Sequence, residues 1–177
     1  MHIEYECRIL EINKEEFITK LEKIGAIKVG EYFQKRFVYD FNPMVSNKWI
    51  RLRTNGKKNT LTIKELTDKT IAGTKELEIE VSDFDNTNKI LNELGYIARN
   101  YQENKRIIYM LDDVEIDIDT WPLIPTYVEI EGKNKECIDN LIKKLSICKK
   151  NITFLDVASI YSEIYNIDIL KIRELRF

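Results

Sequence analysis

The sequence predicts an α+β fold in which eight antiparallel β-strands close into a barrel, a tunnel with a charged interior and helices packed outside. The first observation is a charged strand face. Glu4, Glu6 and Arg8 alternate with apolar residues, and the two-residue period of a strand places all three on one face. Neighbouring like charges do not stabilise a sheet, so we expect this face to meet a ligand.

The second observation is that the pattern recurs with its charges in blocks of one sign. Alternating segments lie at 51–53, 60–64, 76–81, 115–119 and 127–131. The basic block comprises Arg51, Arg53, Lys64 and Arg106, and the acidic block comprises Glu4, Glu6, Asp117, Asp119, Glu129 and Glu131. An open antiparallel sheet with its charged face in water also fits alternation. The sign blocks favour the closed barrel, because eight strands can enclose a small ligand.

The third observation is an internal repeat at an offset of 70 residues. Residues 21–27 match residues 91–97, and 35–39 match 105–109. Such a repeat fixes the architecture, since two curved halves can complete one another. We expect a single domain over 1–177, built from halves at about 1–70 and 73–150 and followed by C-terminal helices over 153–177.

The helices follow from their end signals. Asn13 and Glu16 form a capping pair, and Gly25 stops the helix that they begin. Similar caps and apolar stripes complete the set. The predicted helices are 13–24, 85–94, 134–146, 153–165 and 168–175.

The strands fill the intervals between these helices. Asn55-Gly56 and Asp112-Asp113 suit tight hairpin turns. The predicted strands are 2–10, 33–40, 48–54, 59–66, 74–81, 103–111, 114–120 and 126–131.

The overall composition excludes several classes of protein. The chain has 177 residues and a net charge of −2, which marks neither a nucleic-acid binder nor a membrane binder. Three widely spaced cysteines form no disulfide framework or zinc knuckle. No apolar stretch resembles a membrane span or a signal peptide, and we expect a cytoplasmic protein.

The charged face has a defined chemistry. Paired carboxylates are hard oxygen ligands suited to Mg²⁺ or Mn²⁺, and arginine side chains bind phosphate oxygens in pairs. Together they suit a polyphosphate held between basic residues and acid-bound metal. The single histidine, His2, excludes a Ser-His-Asp or Cys-His set.

The order of these residues resembles the CYTH family, the triphosphate tunnel metalloenzymes, which include class IV adenylyl cyclases and thiamine triphosphatases. The resemblance covers residues 1 to about 150 and implies a tunnel that binds a triphosphate with one or two divalent metals. It implies metal ligands at Glu4, Glu6, Glu129 and Glu131, joined by Asp117 or Asp119. It implies triphosphate binding by Arg8, Arg51, Arg53, Lys64 and Arg106, and the internal repeat adds Arg36 as the counterpart of Arg106.

One departure bears on catalysis. The family motif is Glu-x-Glu-x-Lys, and Arg8 stands in place of the lysine. An arginine stays protonated, so Arg8 can bind phosphate or orient the nucleophile but cannot act as a base. The proton must then be taken by a metal-activated water or by one of the acids, and among the acids we expect Glu78.

Two enzyme reactions and one binding function fit this sequence. The first is hydrolysis of tripolyphosphate or of an organic or nucleoside triphosphate, which we favour because no base-reading motif is evident. The second is cyclisation of ATP to cyclic AMP and pyrophosphate. The third is non-catalytic binding of polyphosphate or a phosphorylated ligand. The expected partner is a small-molecule triphosphate, and a homodimer is compatible with the resemblance.

Overall fold

A computed structural model describes residues 1–177 and shows a closed barrel of eight antiparallel strands. The long strands are β1 (His2–Ile9), β2 (Ile27–Asp40), β3 (Lys48–Thr54), β4 (Asn59–Leu66), β5 (Thr74–Val81), β6 (Asn100–Leu111), β7 (Val114–Thr120) and β8 (Tyr127–Gly132). Their order is β6-β2-β3-β4-β5-β1-β8-β7, and β7 pairs back with β6. The predicted fold class is confirmed.

The helices cover the outside of this barrel. The three long helices are α1 (Lys14–Lys23), α2 (Phe84–Glu93) and α3 (Lys135–Lys144). Each is capped by the side chain of the residue before it, Asn13, Asp83 or Asn134, which accepts a hydrogen bond from the backbone N–H of the third residue of the helix. The ends of these helices lie within two residues of the predicted ends, because the residues that cap a helix can be recognised from the local sequence.

The outward strand faces are apolar and form the core with the helices. The larger cluster joins α1 and α3 to β1, β6, β7 and β8, with Leu21 and Ile138 fully buried in it. A smaller cluster places Leu91 of α2 against Tyr39, Ile50 and Leu52. Because the apolar residues face the helices, the charged residues must face the tunnel.

The C-terminal segment corrects two predicted helices. In place of a helix over 153–165, the chain forms β9 (Ile152–Thr153), a single turn α4 (Val157–Ser159) and a π-helix (Ile160–Ile164). Thr153 pairs with Arg8, and Asp156 caps α4 instead. In place of a helix over 168–175, a 3₁₀ turn (Ile169–Lys171) precedes β10 (Glu174–Leu175).

The short strands β9 and β10 complete the barrel wall. β5 pairs with β1 only over His2–Glu4, and β9 pairs with β1 farther along, at Arg8 and Ile9. In the same way, β10 pairs with β6 at Tyr101 and Gln102, before the pairing of β6 with β7 begins. The need to fill these gaps explains why the segment is extended there.

The strands β2 and β6 begin earlier than predicted, at Ile27 and Asn100 rather than 33 and 103. They pair with each other from Ile27 opposite Met110 to Val38 opposite Asn100. The register shifts between Lys28 and Gly30, and this irregularity breaks the alternation that a sequence pattern relies on. No helix in the structure has the length and apolar character needed to cross a membrane.

Candidate functional site

The tunnel is lined by charged side chains from all eight strands. Nine of them are buried: Glu4, Glu6, Arg8, Arg36, Glu76, Arg106, Asp117, Asp119 and Glu129. Arg51, Arg53, Lys64 and Glu78 are partly exposed, and Glu131 is exposed. A buried charge without a partner is strongly destabilising, so the partners of each residue indicate what the tunnel is built to hold.

Arg8 lies in a buried ion-pair network with two acids. Its Nη2 donates to Glu6 Oε2 at 2.8 Å and lies 2.5 Å from Glu129 Oε2, while Nη1 donates to the Leu155 carbonyl at 2.9 Å. Burial alone would lower the pKa of Arg8, but the carboxylates of Glu129 and Glu6 outweigh it and raise the pKa. Arg8 is therefore a permanent cation, as the sequence indicated.

Arg106 anchors a second network on β6, β7 and β8. Its Nε and Nη2 donate to the two oxygens of Asp119 at 2.8 and 2.5 Å, and it also pairs with Asp117 and with Glu129 at 3.2 Å. Burial, and the charges of Asp119 and Glu129, raise the pKa of Asp117 well above its usual range despite Arg106. Asp117 thus binds a proton more readily than a free aspartate does.

Lys64 bridges two carboxylates from neighbouring strands. Its Nζ lies 2.9 Å from Glu4 Oε2 and 2.8 Å from Glu76 Oε2. Burial raises the pKa of Glu4 to about 7, with Glu76 adding to the rise and Lys64 opposing it. The pKa of Glu76 falls to about 2, because Lys64 and Arg51 outweigh its own burial. The Lys64 ammonium group is thus shared by two buried carboxylates whose pKa values differ widely.

Glu78 is held by basic residues of β3. Its Oε2 accepts from Thr62 Oγ1 at 2.6 Å and from Arg51 Nη2 at 3.2 Å, and Arg53 Nη2 lies at 3.7 Å. Arg51 also approaches Glu76, at 3.6 Å. The predicted catalytic carboxylate therefore lies among the predicted phosphate-binding arginines.

Arg36 is the cation without a carboxylate partner. Its Nη2 donates to the side-chain amides of Gln34, at 2.9 Å, and of Asn104, and its guanidinium carbon lies 4.5 Å from the centre of the Trp121 ring. Its Nε makes no hydrogen bond. Burial, together with repulsion from Arg51, Arg53 and Arg106, lowers the pKa of Arg36 well below its usual range.

The neighbouring Arg53 shares this shortage of negative charge. Burial and the nearby Arg51 and Arg106 lower its pKa to about 10. Arg36 and Arg53 are opposite one another on β2 and β3. The basic wall thus carries more positive charge than its own acids neutralise, which favours an anionic ligand.

The acids predicted as metal ligands fall in three places. Glu4 lies beside Glu76, whereas Glu6, Asp117, Asp119 and Glu129 lie in the two arginine networks. Glu131 lies at the tunnel mouth, where partial dehydration and the charge of Glu129 raise its pKa to about 7. Clustered carboxylates of this kind fit Mg²⁺ or Mn²⁺.

Two potential metal ligands were missed by the sequence prediction. Donor atoms of His2, Glu4 and Glu76 all lie within 4.8 Å of one another. The two-residue period of β1 and β5 places His2 and Glu76 on the inward faces, but only the strand register shows that the two residues are directly opposite. Long-range register is not encoded in any local pattern.

A family model agrees with this architecture. The model described as the CYTH domain matches residues 2–156. No functionally curated protein matches the sequence significantly.

Several solved structures share the fold. A protein from Pyrococcus horikoshii OT3 is 24% identical with a TM-score of 0.76, covering 86% of this chain and 96% of that one. A candidate adenylate cyclase from Vibrio parahaemolyticus is 14% identical with a TM-score of 0.75, covering 91% and 98%. A Hippeastrum protein, described as a candidate adenylyl cyclase with a dominant triphosphatase activity, is 14% identical with a TM-score of 0.61, covering 94% and 97%.

Proposed function

This chain belongs to the CYTH domain family, and on that premise we propose that it is a divalent-metal-dependent triphosphatase. The tunnel would bind tripolyphosphate, or an organic or nucleoside triphosphate, and water would cleave the terminal phosphoanhydride bond. The family processes triphosphates with divalent metals; the choice of hydrolysis over cyclisation is our proposal.

The observation that carries the proposal is the excess of positive charge on the wall formed by β2 and β3. Arg36 contacts amides and a ring but no carboxylate, and Arg53 has one carboxylate, Glu78, at 3.7 Å. Phosphate oxygens are the ligands that guanidinium groups bind most specifically. A bound triphosphate would supply the missing negative charge.

The remaining roles follow from position. Arg36, Arg51, Arg53, Lys64 and Arg106, with Arg8, would bind the phosphate groups. Glu4, Glu6, Glu129 and Glu131, with Asp117 or Asp119, would hold Mg²⁺ or Mn²⁺. When bound, the metal supplies Lewis acidity and neutralises charge on the phosphate oxygens.

The proton transfer would depend on Glu78. Its carboxylate accepts hydrogen bonds from Arg51 and Thr62. Phosphate oxygens compete for the same guanidinium groups, so triphosphate binding would release Glu78 to take a proton from the attacking water. The water oxygen bonds to the terminal phosphorus as the bridging P–O bond breaks, and Arg8, as a fixed cation, would orient the reacting groups.

A single assay tests this proposal. The protein is incubated with tripolyphosphate, thiamine triphosphate or ATP, each with Mg²⁺ or Mn²⁺, and the products are quantified. We expect orthophosphate from at least one substrate, loss of turnover in Arg53→Ala, and unchanged turnover in the surface control Lys133→Ala. Cyclic AMP and pyrophosphate formed at the rate of ATP loss would overturn hydrolysis in favour of cyclisation. Tight binding of a triphosphate without any product would overturn the enzymatic proposal and favour a non-catalytic binding protein.

A further inference from the structure

The mouth of the tunnel at the start of β1 brings a nitrogen donor next to two carboxylates. His2 is paired directly opposite Glu76, and Glu4 lies two residues along β1 on the same inward face. One donor atom from each lies within 4.8 Å of the others. Ligands that share one ion at about 2.1–2.2 Å are separated by at most roughly 4.4 Å, so small side-chain movements would close this group around a cation.

Two of these three residues are buried carboxylates that face the same space. Glu76 is only 6% exposed, and its Oε2 lies 2.8 Å from Lys64 Nζ and 3.6 Å from Arg51 Nη2. Glu4, equally buried, presents a second carboxylate to the same space. Lys64 and, farther off, Arg51 are the cations beside these two acids, and a divalent ion would bind by displacing the Lys64 ammonium group from the two carboxylates.

We propose that His2, Glu4 and Glu76 form a site for a divalent first-row transition ion, with the imidazole of His2 as one of its ligands. The inference deepens the proposed function by selecting the metal that the tunnel takes at its mouth. Imidazole binds Zn²⁺, Co²⁺ and related ions well, carboxylates suit Mn²⁺ and Mg²⁺, and Mg²⁺ prefers an all-oxygen octahedral shell. A mixed nitrogen and oxygen set therefore favours Mn²⁺ or Co²⁺ over Mg²⁺.

The composition of the chain makes this proposal directly testable. His2 is the only histidine, so any imidazole bound to a metal must be His2, provided that the protein carries no histidine tag. Pulsed electron paramagnetic resonance of the full chain with one equivalent of Mn²⁺ would detect coupling to the remote ring nitrogen. We expect this coupling in the native protein and its loss in His2→Gln. A native spectrum without imidazole coupling would overturn the proposal.

A second measurement tests the metal preference. Calorimetric titration with Mn²⁺ and with Mg²⁺ compares the native chain with His2→Gln, whose folding is not at risk because His2 is exposed. The substitution should weaken Mn²⁺ binding about 10- to 100-fold and change Mg²⁺ binding less than about twofold. Equal losses for both ions, or no loss for either, would contradict an imidazole ligand.

These outcomes are separate from those of the functional assay. Turnover of a triphosphate without imidazole coupling would refute the His2 ligand and leave the proposed function standing. Imidazole coupling without turnover would support the His2 ligand and refute the proposed hydrolysis.

Discussion

Arg36 is a buried cation that its protein surroundings do not neutralise. A fully buried guanidinium loses its hydration, and here it receives only amide oxygens and the face of Trp121 in return. Replacement of buried ionic groups by apolar side chains of similar size is often neutral or stabilising. Arg36 should therefore reduce the stability measured without added ligand, while it strengthens anion binding.

Arg36→Met separates these two effects. Without ligand, we expect the free energy of unfolding to rise by about 1–2 kcal/mol, measured by urea denaturation. Affinity for tripolyphosphate should fall roughly 10- to 100-fold, the value of a charge-assisted hydrogen-bond pair, measured by calorimetry. The matched control is Arg173→Met, because Arg173 is exposed and outside the tunnel. Lower stability together with native affinity would show that Arg36 is structural.

Glu4 makes the stability of the metal-free protein depend on pH. Its folded pKa of about 7 exceeds the ordinary value of 4.5, mainly because of burial. The folded state therefore binds the proton more tightly than the unfolded state, and the stability gained at low pH is lost as the pH rises from about 4.5 to 7. In excess chelator, we expect a loss on the order of 1–3 kcal/mol across this range.

Glu4→Gln is the diagnostic variant for this pH effect. Glutamine does not titrate, so the slope between pH 4.5 and 7 should become shallower in urea denaturation at a series of pH values. Glu131, whose pKa is also about 7, and Asp117, whose pKa is also raised, contribute to the slope that remains. A variant with the full native slope would mean that Glu4 ionises normally in the folded protein.

At the scale of elements, the C-terminal segment depends on one backbone conformation. Asn166 has φ 55° and follows the π-helix, so the chain turns there before the 3₁₀ turn and β10. The segment buries Ile160, Tyr161, Ile169 and Leu175 against Trp121 and Tyr127. The segment thus packs against Trp121, whose ring contacts Arg36. The turn at Asn166 joins the part of the segment before it, with Ile160 and Tyr161, to the part after it, with Ile169 and Leu175.

Two substitutions at Asn166 test this dependence. Glycine enters the left-handed region freely, whereas a β-branched residue is strained there. Asn166 is exposed, so side-chain contacts contribute little. Asn166→Gly should keep or slightly raise the stability, and Asn166→Val should lower it by about 1–2 kcal/mol, in urea denaturation. Equal effects of the two substitutions would show that the conformation of Asn166 does not matter.

The same segment marks the limit of what the sequence predicts about elements. The long helices and the paired strands were predicted because caps and two-residue alternation are local. The segment after Thr153 has apolar residues at spacings that fit a helix, yet β9 and β10 fill gaps in a wall made by distant strands. That requirement exists only in the closed barrel, and so does the contact of His2 with Glu76.

At the scale of the whole molecule, the two halves repeat one topology with opposite charge. Each half runs strand, helix and three strands, β1 to β4 and β5 to β8. The inward charged residues of β3 and β4 are Arg51, Arg53 and Lys64, whereas those of β7 and β8 include Asp117, Asp119 and Glu129. Alternation in the sequence was sufficient to predict both faces. The ion pairs that Arg8 and Arg106 make with acids could not be predicted in this way, because they depend on the register between strands.

We expect this distribution to make triphosphate binding depend on metal. The tunnel set contains six basic side chains, Arg8, Arg36, Arg51, Arg53, Lys64 and Arg106, and eight acidic ones, Glu4, Glu6, Glu76, Glu78, Asp117, Asp119, Glu129 and Glu131. The formal charge of the set is therefore negative before a polyanion enters. Divalent cations at the acidic residues would reverse that sign, and because coupling between two ligands is reciprocal, each should strengthen the binding of the other.

We expect tripolyphosphate to bind at least about 100-fold more tightly with saturating Mn²⁺ than in excess chelator, since that coupling corresponds to roughly 3 kcal/mol, the upper part of the usual range. Calorimetry in both orders of addition measures it, and metal-saturated chelator is the control for the chelator itself. The affinity for Mn²⁺ must then rise by the same factor when tripolyphosphate is present. Equal tripolyphosphate affinity with and without metal would mean that the basic wall binds the phosphates alone, and that the acids of β1, β7 and β8 serve only to neutralise Arg8 and Arg106.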